Sequence, residues 1–287
     1  RRQRQMCIRD STYSLSALFE KNFHFGLDLV ASYTFGHSKS VYDGTSSVAY
    51  SNWKYNYAVD SNNPGLAYSM FDIPHRVMVS VGYRTPRYAK GFMATTVSLV
   101  YNGYVGQRYS LTMNESYYDA EKKKTVYIDY NGDGFGGNSL LYIPTEDELQ
   151  KMDFKTEEDR QKFNEWIEGD SYAKKHRGAY AMRNSNSAPW ENRVDLHVAQ
   201  DIFVLKDRGS KFQVTFDVTN FANMLNKKWG TTYTAAYNVM PLQVIGNKKG
   251  EDGNYTNTYA YNSRNTITKN DISVSYTHLR AHETKAN

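Results

Sequence analysis

The chain has 287 residues, 40% apolar, 15% aromatic and 23% charged, with one cysteine, 25 tyrosines, a mean hydropathy of −0.71 and a formal charge of +5. So aromatic a composition excludes an intrinsically disordered chain, and the lack of any apolar run of about 18 residues excludes a membrane-spanning helix. A transmembrane β-barrel passes both tests, because its strands alternate lipid-facing and lumen-facing residues and so average to the hydropathy of a soluble protein.

The two ends are related to each other. Met6, Cys7, Ile8, Arg9 and Asp10 can be encoded as ATG TGT ATA AGA GAC. The reverse complement, GTC TCT TAT ACA CAT, translates as Val-Ser-Tyr-Thr-His and reproduces Val274, Ser275, Tyr276, Thr277 and His278. One DNA element in opposite orientations therefore flanks the body of the coding stretch. It resembles the transposon end used to build sequencing libraries, so 1–11 and 274–287 are expected to be adapter-derived scars around a body at 12–273. Arg1, Arg2, Arg4 and Arg9 against Asp10 carry +3, and Arg280 and Lys285 against Glu283 carry +1, which leaves the body only +1 of the +5. No nucleic-acid partner is expected of so neutral a body. Setting Cys7 aside also excludes disulfides, thiolate metal sites and a cysteine nucleophile.

Within the body, period-two alternation predicts strands. Tyr13, Leu15, Ala17 and Phe19 share one face, the triplet Glu20-Lys21-Asn22 forms a tight turn, and 23–35 then alternates over its whole length. Val77, Val79, Val81 and Tyr83 form the next apolar face, followed by a short connection at 85–90 and by Met93, Val97, Leu99 and Tyr101. Val194, Leu196 and Val198 oppose Arg193, Asp195 and His197. After a short turn at 206–210, Phe212, Val214, Phe216 and Val218 oppose Gln213, Thr215, Asp217 and Thr219. A tilted strand crosses a bilayer with about 9–11 residues, which these runs supply. The connections at 37–71, 105–189 and 222–263 are long, and short turns alternating with long loops characterise outer-membrane barrels. The expected fold class is all-β: a partial antiparallel transmembrane β-barrel of about seven strands with long extracellular loops, one of them carrying short helices. Tyr13, Phe35, Tyr83, Tyr101, Trp190 and Phe221 lie near strand ends, where aromatic girdles belong.

The longest connection holds the helical signals. Thr145 with Glu148 fits a capping box ahead of Leu149 and Met152, and Thr156 with Asp159 repeats it ahead of Phe163, Trp166 and Ile167. The apolar faces of these two helices are expected to pack the loop against the barrel mouth. A gating lid is the sharper alternative. Just before them, Asp129, Asn131 and Asp133 with Gly134 match the first half of a calcium loop, whereas Leu140 stands where a bidentate Glu would complete it. The expectation is a weak surface calcium site on Asp129, Asn131 and Asp133, with a tight polar turn as the alternative; no cofactor is otherwise required. His24, His37, His75, His176 and His197 are scattered without metal-ligand spacing. Arg193, Asp195 and His197 form a lumen-side row expected to hydrate a channel or pair with a plug. No catalytic residue and no enzymatic activity are expected.

Three groups of residues carry a family resemblance. They are Phe71-Asp72-Ile73-Pro74-His75-Arg76; Asn131-Gly132-Asp133-Gly134 with Leu141-Tyr142-Ile143-Pro144; and Pro189-Trp190-Glu191-Asn192-Arg193-Val194-Asp195-Leu196 followed by Asp217-Val218-Thr219-Asn220-Phe221-Ala222-Asn223-Met224-Leu225-Asn226. Together they resemble the C-terminal barrel of TonB-dependent outer-membrane receptors, especially the Bacteroidota type with a carboxypeptidase-regulatory-like N-terminal domain. The resemblance spans 12–273 and implies a plug and a TonB-contacting segment upstream, and a closing strand interrupted near 272–273. It further implies location in the bacterial outer membrane, contact with outer-membrane lipid, and import of a scarce, bulky, small or oligomeric solute. Import would be energised by the proton gradient through the TonB–ExbB–ExbD complex. Solute contacts are expected from loop aromatics able to stack on sugars or planar chelates: Trp53, Tyr55, Tyr57, Tyr104, Tyr109, Trp166 and Trp229. The competing expectation is a surface adhesion or binding protein on a plugless barrel or a secreted β-sandwich.

Overall fold

The computed structural model describes residues 10–205, 210–234, 238–249, 255–262, 268–270 and 275–284. Most of the first proposed scar, at 1–9, and positions 274 and 285–287 of the second therefore lie outside the described residues, as do 206–209 of the predicted turn at 206–210. The longer strands, in chain order, are β1 (Ser11–Asn22), β2 (Leu27–Ser40), β3 (His75–Arg84), β4 (Met93–Tyr104), β5 (Arg108–Asn114), β6 (Glu191–Leu205), β7 (Ser210–Thr219), β8 (Asn238–Lys249), β9 (Tyr255–Tyr261) and β10 (Ser275–Thr284). The helices are α1 (Ala49–Lys54), α2 (Glu146–Lys151), α3 (Glu157–Gly169) and α4 (Phe221–Leu225).

Seven strands form one antiparallel wall in the order β1-β2-β3-β4-β6-β7-β10. Its register carries the predicted apolar faces across the sheet. Leu15 sits opposite Phe35, Tyr33 opposite Val77, Val81 opposite Leu99, Leu99 opposite Leu196, and Val198 opposite Phe216. Because side chains alternate with period two, this pairing puts every such residue on the same side of the sheet. That side is bare: Leu15 is 73% exposed and Phe216 45%. An apolar face of this extent would be an aggregation surface in water and is the solvent-facing surface of a protein dissolved in lipid. Strands of 10 to 15 residues at about 3.3 Å per residue are about 33–50 Å long, enough to cross a hydrocarbon core of about 30 Å at a tilt.

The other face carries a polar ladder. Arg76 donates to Asn102 (3.2 Å), Arg193 pairs with Asp195 (3.1 Å), and His197 pairs with Asp217. The carboxylate of Asp201, 1% exposed, is held by Arg84 (2.6 Å), Lys211 (3.0 Å) and Gln213 (2.7 Å). In the row Arg193, Asp195, His197 along the inner face, the first two thus pair with each other and His197 pairs across to Asp217. Within the sheet β1 and β10 are the two ends of the path, so the wall is open. Its seventh position is occupied by Ser275–Thr284, inside the segment read as adapter-derived. The closing strand expected just before 273 falls largely outside the described residues, and Thr268–Asn270 pairs instead with Thr232–Thr234.

The long connections do more than loop out from the wall. They fold together into a cap with its own sheet, ordered Asp153–Phe154, β9, β8, β5, Asn186–Ser187. In it β8 runs parallel to β5 and antiparallel to β9. The cap grows out of the wall, since β5 resumes the path of β4 three residues on, and Asn186–Ser187 leads into β6. At the crossing point Gly106 lies so close to the facing strand that a Cβ would stand 2.6 Å from the Pro189 carbonyl oxygen and 2.8 Å from the Ala188 Cβ. Only glycine lets the two chains pass there. The apolar core sits in the cap and not in the wall: Leu111, Leu141, Ile143, Leu149, Phe163, Ile167, Leu242 and Val244 pack into one buried cluster.

Both predicted helices form where their caps place them. Thr145 and Glu148 complete the capping box of α2, and the Thr156 hydroxyl accepts from the Asp159 N–H at the start of α3. Leu149, Phe163 and Ile167 face the cluster, with Trp166 stacked on Phe163. Helices also form at α1 and α4, in connections where none was expected. Neither start has a side-chain cap, so neither leaves a start signal in the sequence.

Candidate functional site at the mouth of the wall

A buried carboxylate links cap and wall. Asp72, from the Phe-Asp-Ile-Pro-His-Arg stretch, accepts from Arg108 Nε (2.9 Å) and Nη2 (2.7 Å), from the Ser38 backbone N–H (2.6 Å) and from His37 Nδ1 (3.3 Å). Arg108 opens β5 of the cap and Ser38 belongs to β2 of the wall, so a single side chain ties the two layers. The guanidinium also lies 4.0 Å from the centroid of the Tyr68 ring, a desolvated cation–π contact. Nearby Glu191 accepts from the Tyr104 hydroxyl (2.8 Å) and the Tyr233 N–H (3.0 Å). The groove between them, about 450 Å³, is lined by Phe71, Ile73, Tyr104 and Tyr233 among others.

Above this joint a cavity of about 400 Å³ opens between the first connection and the cap. Tyr55, Tyr57, Asn56, Asp43, Arg183 and Asn184 line it. Arg183, 5% exposed, donates to Asn56 and to the Ser40 carbonyl, and its Nη1 lies 4.0 Å from the Asp43 carboxylate. Burial pulls its guanidinium below the ordinary value, opposed by Asp43. Asn184, held at a positive φ of 55°, donates to the Tyr68 carbonyl (2.8 Å) and to Asp43 (3.3 Å). The cavity therefore presents two tyrosine rings beside a balanced carboxylate, guanidinium and amide set, a lining suited to a neutral polar solute that offers both donors and acceptors. Sequence reading missed Asp43, Asn56, Arg183 and Asn184. No local signal marks them, because Arg183 and Asn184 meet partners more than 100 residues away.

The aromatic candidates divide three ways. Tyr55 and Tyr57 line this cavity, while Trp53 of α1 stacks on Tyr50 behind them. Tyr104 lines the groove over Asp72, and Trp229 lies in a third cavity on the outward side of the wall. Tyr109 and Trp166 are not loop-surface aromatics: Tyr109 is a buried member of the cap cluster and Trp166 packs against it. The sequence of 105–189 shows no strand pattern, yet in the folded cap Tyr109 is core and Trp166 is half-buried against it.

Asp129, Asn131 and Asp133 lie against the same connection as Tyr55. Asp133 accepts from the Ser61 hydroxyl (2.5 Å) and Asn138 (2.6 Å), and Asn138 also donates to the Lys54 carbonyl (3.1 Å). The Lys54 ammonium stands 4.1 Å from the Phe135 ring centroid. Asp129 accepts from the backbone N–H groups of Asp133 (3.2 Å) and Gly134 (2.7 Å), and Asn131 from that of Asp133 (3.3 Å). Burial opposes ionisation of Asp133, but hydrogen bonds from Ser61, Asn138, the Phe135 N–H and Asn131 outweigh it and hold the carboxyl below its ordinary range. The turn is thus closed by its own donors, with Gly132 and Gly134 at positive φ. Among the described residues, no three His, Cys, Asp or Glu side chains are grouped to hold a metal.

A family model described as an outer membrane beta barrel domain matches residues 3–264. No curated protein and no solved structure matches the chain.

Proposed function

The chain belongs to the outer membrane β-barrel domain family and is a protein of the bacterial outer membrane, and on that footing we propose that it is the barrel of a TonB-dependent receptor that imports a bulky polar solute. The observation that carries this reading is the cap. The long connections at one end of the wall form a packed unit with a polar, tyrosine-lined cavity at the mouth, beside the joint to the wall. A passive pore needs an open mouth, whereas a capture site at the mouth binds before it passes its load inward. Asp72, Trp190, Arg193 and Asn220, which carry the resemblance to TonB-dependent receptors, all sit at that end of the wall. Energy coupling is consistent with such a site, because a solute bound tightly on the outside leaves inward only if something lowers its affinity.

The test is made on the full-length protein in cells lacking other receptors, with a labelled panel of oligosaccharides and ferric chelates. Uptake of one class should stop when an uncoupler collapses the proton gradient or TonB is deleted, while surface binding persists. Uptake that survives both treatments would reject energised import, and binding without any uptake would favour an adhesion or binding protein.

A further inference from the structure

On the outward side of the wall, at its capped end, lies a cavity of about 420 Å³. Its floor is Trp190, Asn192 and Val194; Val194 continues the lipid-facing row of β6 through Leu196 and Val198. The indole N–H of Trp190 donates to Asn192 (3.0 Å), and the Tyr101 hydroxyl donates to the same amide oxygen (2.7 Å). Two girdle side chains therefore have their polar ends satisfied by one amide on the outward face of the wall, as aromatic residues at a membrane–water boundary do. The roof comes from the segment that follows α4, where Trp229 and Lys228 line the cavity. In the same segment Met224 and Leu225 of α4 and Trp229 after it are 48%, 63% and 54% exposed. The ammonium groups of Lys227 and Lys228 make no ion pair or hydrogen bond among the described residues.

We propose that this cavity binds the phosphorylated headgroup of a lipid in the outer leaflet of the outer membrane. Three observations on one small surface select that occupant. The cavity is continuous with the lipid-facing side of the wall, so its ligand lies at the membrane boundary. Its long-loop end is the outer one, since short turns of such barrels face the periplasm. Lys228 in the lining and its chain neighbour Lys227, neither ammonium with a partner among the described residues, supply positive charge, while Trp229 in the lining and Met224 and Leu225 of α4 offer apolar surface to the upper acyl chain, the arrangement by which interfacial segments hold anionic lipid. On this account Trp229 faces lipid and takes no part in solute capture.

The experiment uses the full chain refolded in dodecylphosphocholine micelles, with folding checked by the difference in gel mobility between unheated and boiled samples. Retention of monophosphoryl lipid A is compared with that of the same lipid after dephosphorylation, by native mass spectrometry. The phosphorylated lipid should be retained in preference. The double variant Lys227→Gln/Lys228→Gln should weaken its binding about 30-fold, since a basic side chain near a lipid surface contributes about 1 kcal/mol and each factor of ten is about 1.4 kcal/mol. Lys227→Arg/Lys228→Arg should keep the binding, and Trp229→Ala should reduce it without altering the preference for phosphate. Equal retention of the two lipids, or a folded double Gln variant that binds like the parent, overturns the proposal. So does displacement of the lipid by inorganic phosphate at equal concentration, which would mean a plain anion site. Should the Gln variant fail to fold, the Arg variant decides, and its loss of binding counts against the proposal.

Discussion

Replacing Asp72 by Asn tests whether the cap is held to the wall by one buried charge. The substitution keeps the shape of the side chain and an acceptor for the Ser38 N–H, but leaves the Arg108 guanidinium, itself 7% exposed, without its counter-charge. Breaking a buried pair from one side costs about 3–5 kcal/mol, because the surviving ion stays desolvated and unpaired. Against a typical total stability of about 5–15 kcal/mol, that is enough to detach a layer. The Tyr68 contact of Arg108 is present before and after the change, so it does not reduce the loss. The assay is urea unfolding followed by tryptophan fluorescence, combined with limited proteolysis of the cap in micelles. The expected outcome is early cleavage in 105–189 with the wall still resistant to unfolding when unheated. The double variant Asp72→Asn/Arg108→Met removes both charges, keeps an acceptor for the Ser38 N–H and should return close to the parent, since removing both members of a buried pair is often neutral. A loss below about 1 kcal/mol for Asp72→Asn, or a double variant as unstable as the single one, would refute the argument that this pair carries the joint.

Phe163, fully buried between Phe154 and Trp166 in the cap cluster, should cost about 3–5 kcal/mol when changed to Ala; a loss confined to the cap, read from proteolysis, is expected, and an unchanged cap would mean it has no core of its own. Burial raises the carboxyl of Glu115 above its ordinary 4.5, only partly offset by hydrogen bonds such as that from the Gly137 N–H. A raised folded value means the cost of ionising Glu115 is fully present at pH above that value, shrinks as pH falls through it, and is gone below 4.5. Glu115→Gln should therefore stabilise the cap near neutral pH and lose that advantage in acid, and an advantage independent of pH would count against burial as the cause. Gly103 lies under the Tyr101 ring, and a Cβ there would come within 3.0 Å of the Trp190 indole nitrogen; Gly103→Val should cost about 1–3 kcal/mol through overpacking of the girdle and shift the fluorescence of Trp190, and wild-type stability with an unmoved spectrum would exclude that contact.

The wall was legible because its environment is written in its alternation. Tyr13 to Phe19, Val77 to Tyr83, Met93 to Tyr101 and Phe212 to Val218 each face lipid on one side and a polar interior on the other, so period two survives in the sequence. The two helices of the longest connection were legible for a local reason as well, since Thr145 with Glu148 and Thr156 with Asp159 satisfy the first N–H groups of each helix from within four residues. The cap was not legible as a sheet. Along β5, Arg108 to Met113 are buried without a break, so no inner and outer face differ in solvent, and the strand leaves no alternation. Its neighbour β8 comes more than 100 residues later and runs parallel, so no hairpin turn announces the pair.

The same contrast separates the candidate residues. Sequence alone determined six of the seven strands of the membrane wall, its short-turn and long-loop ends, and the aromatic residues near them, because each of these depends on contacts with solvent or with near neighbours. Only the tertiary structure decided that Tyr109 is core with Trp166 packed against it, that Tyr55 and Tyr57 share a cavity with Arg183 and Asp43, and that Asp72 joins cap to wall. Those outcomes depend on which distant segments meet, and a side chain's desolvation and partners are fixed by that meeting rather than by its neighbours in the chain.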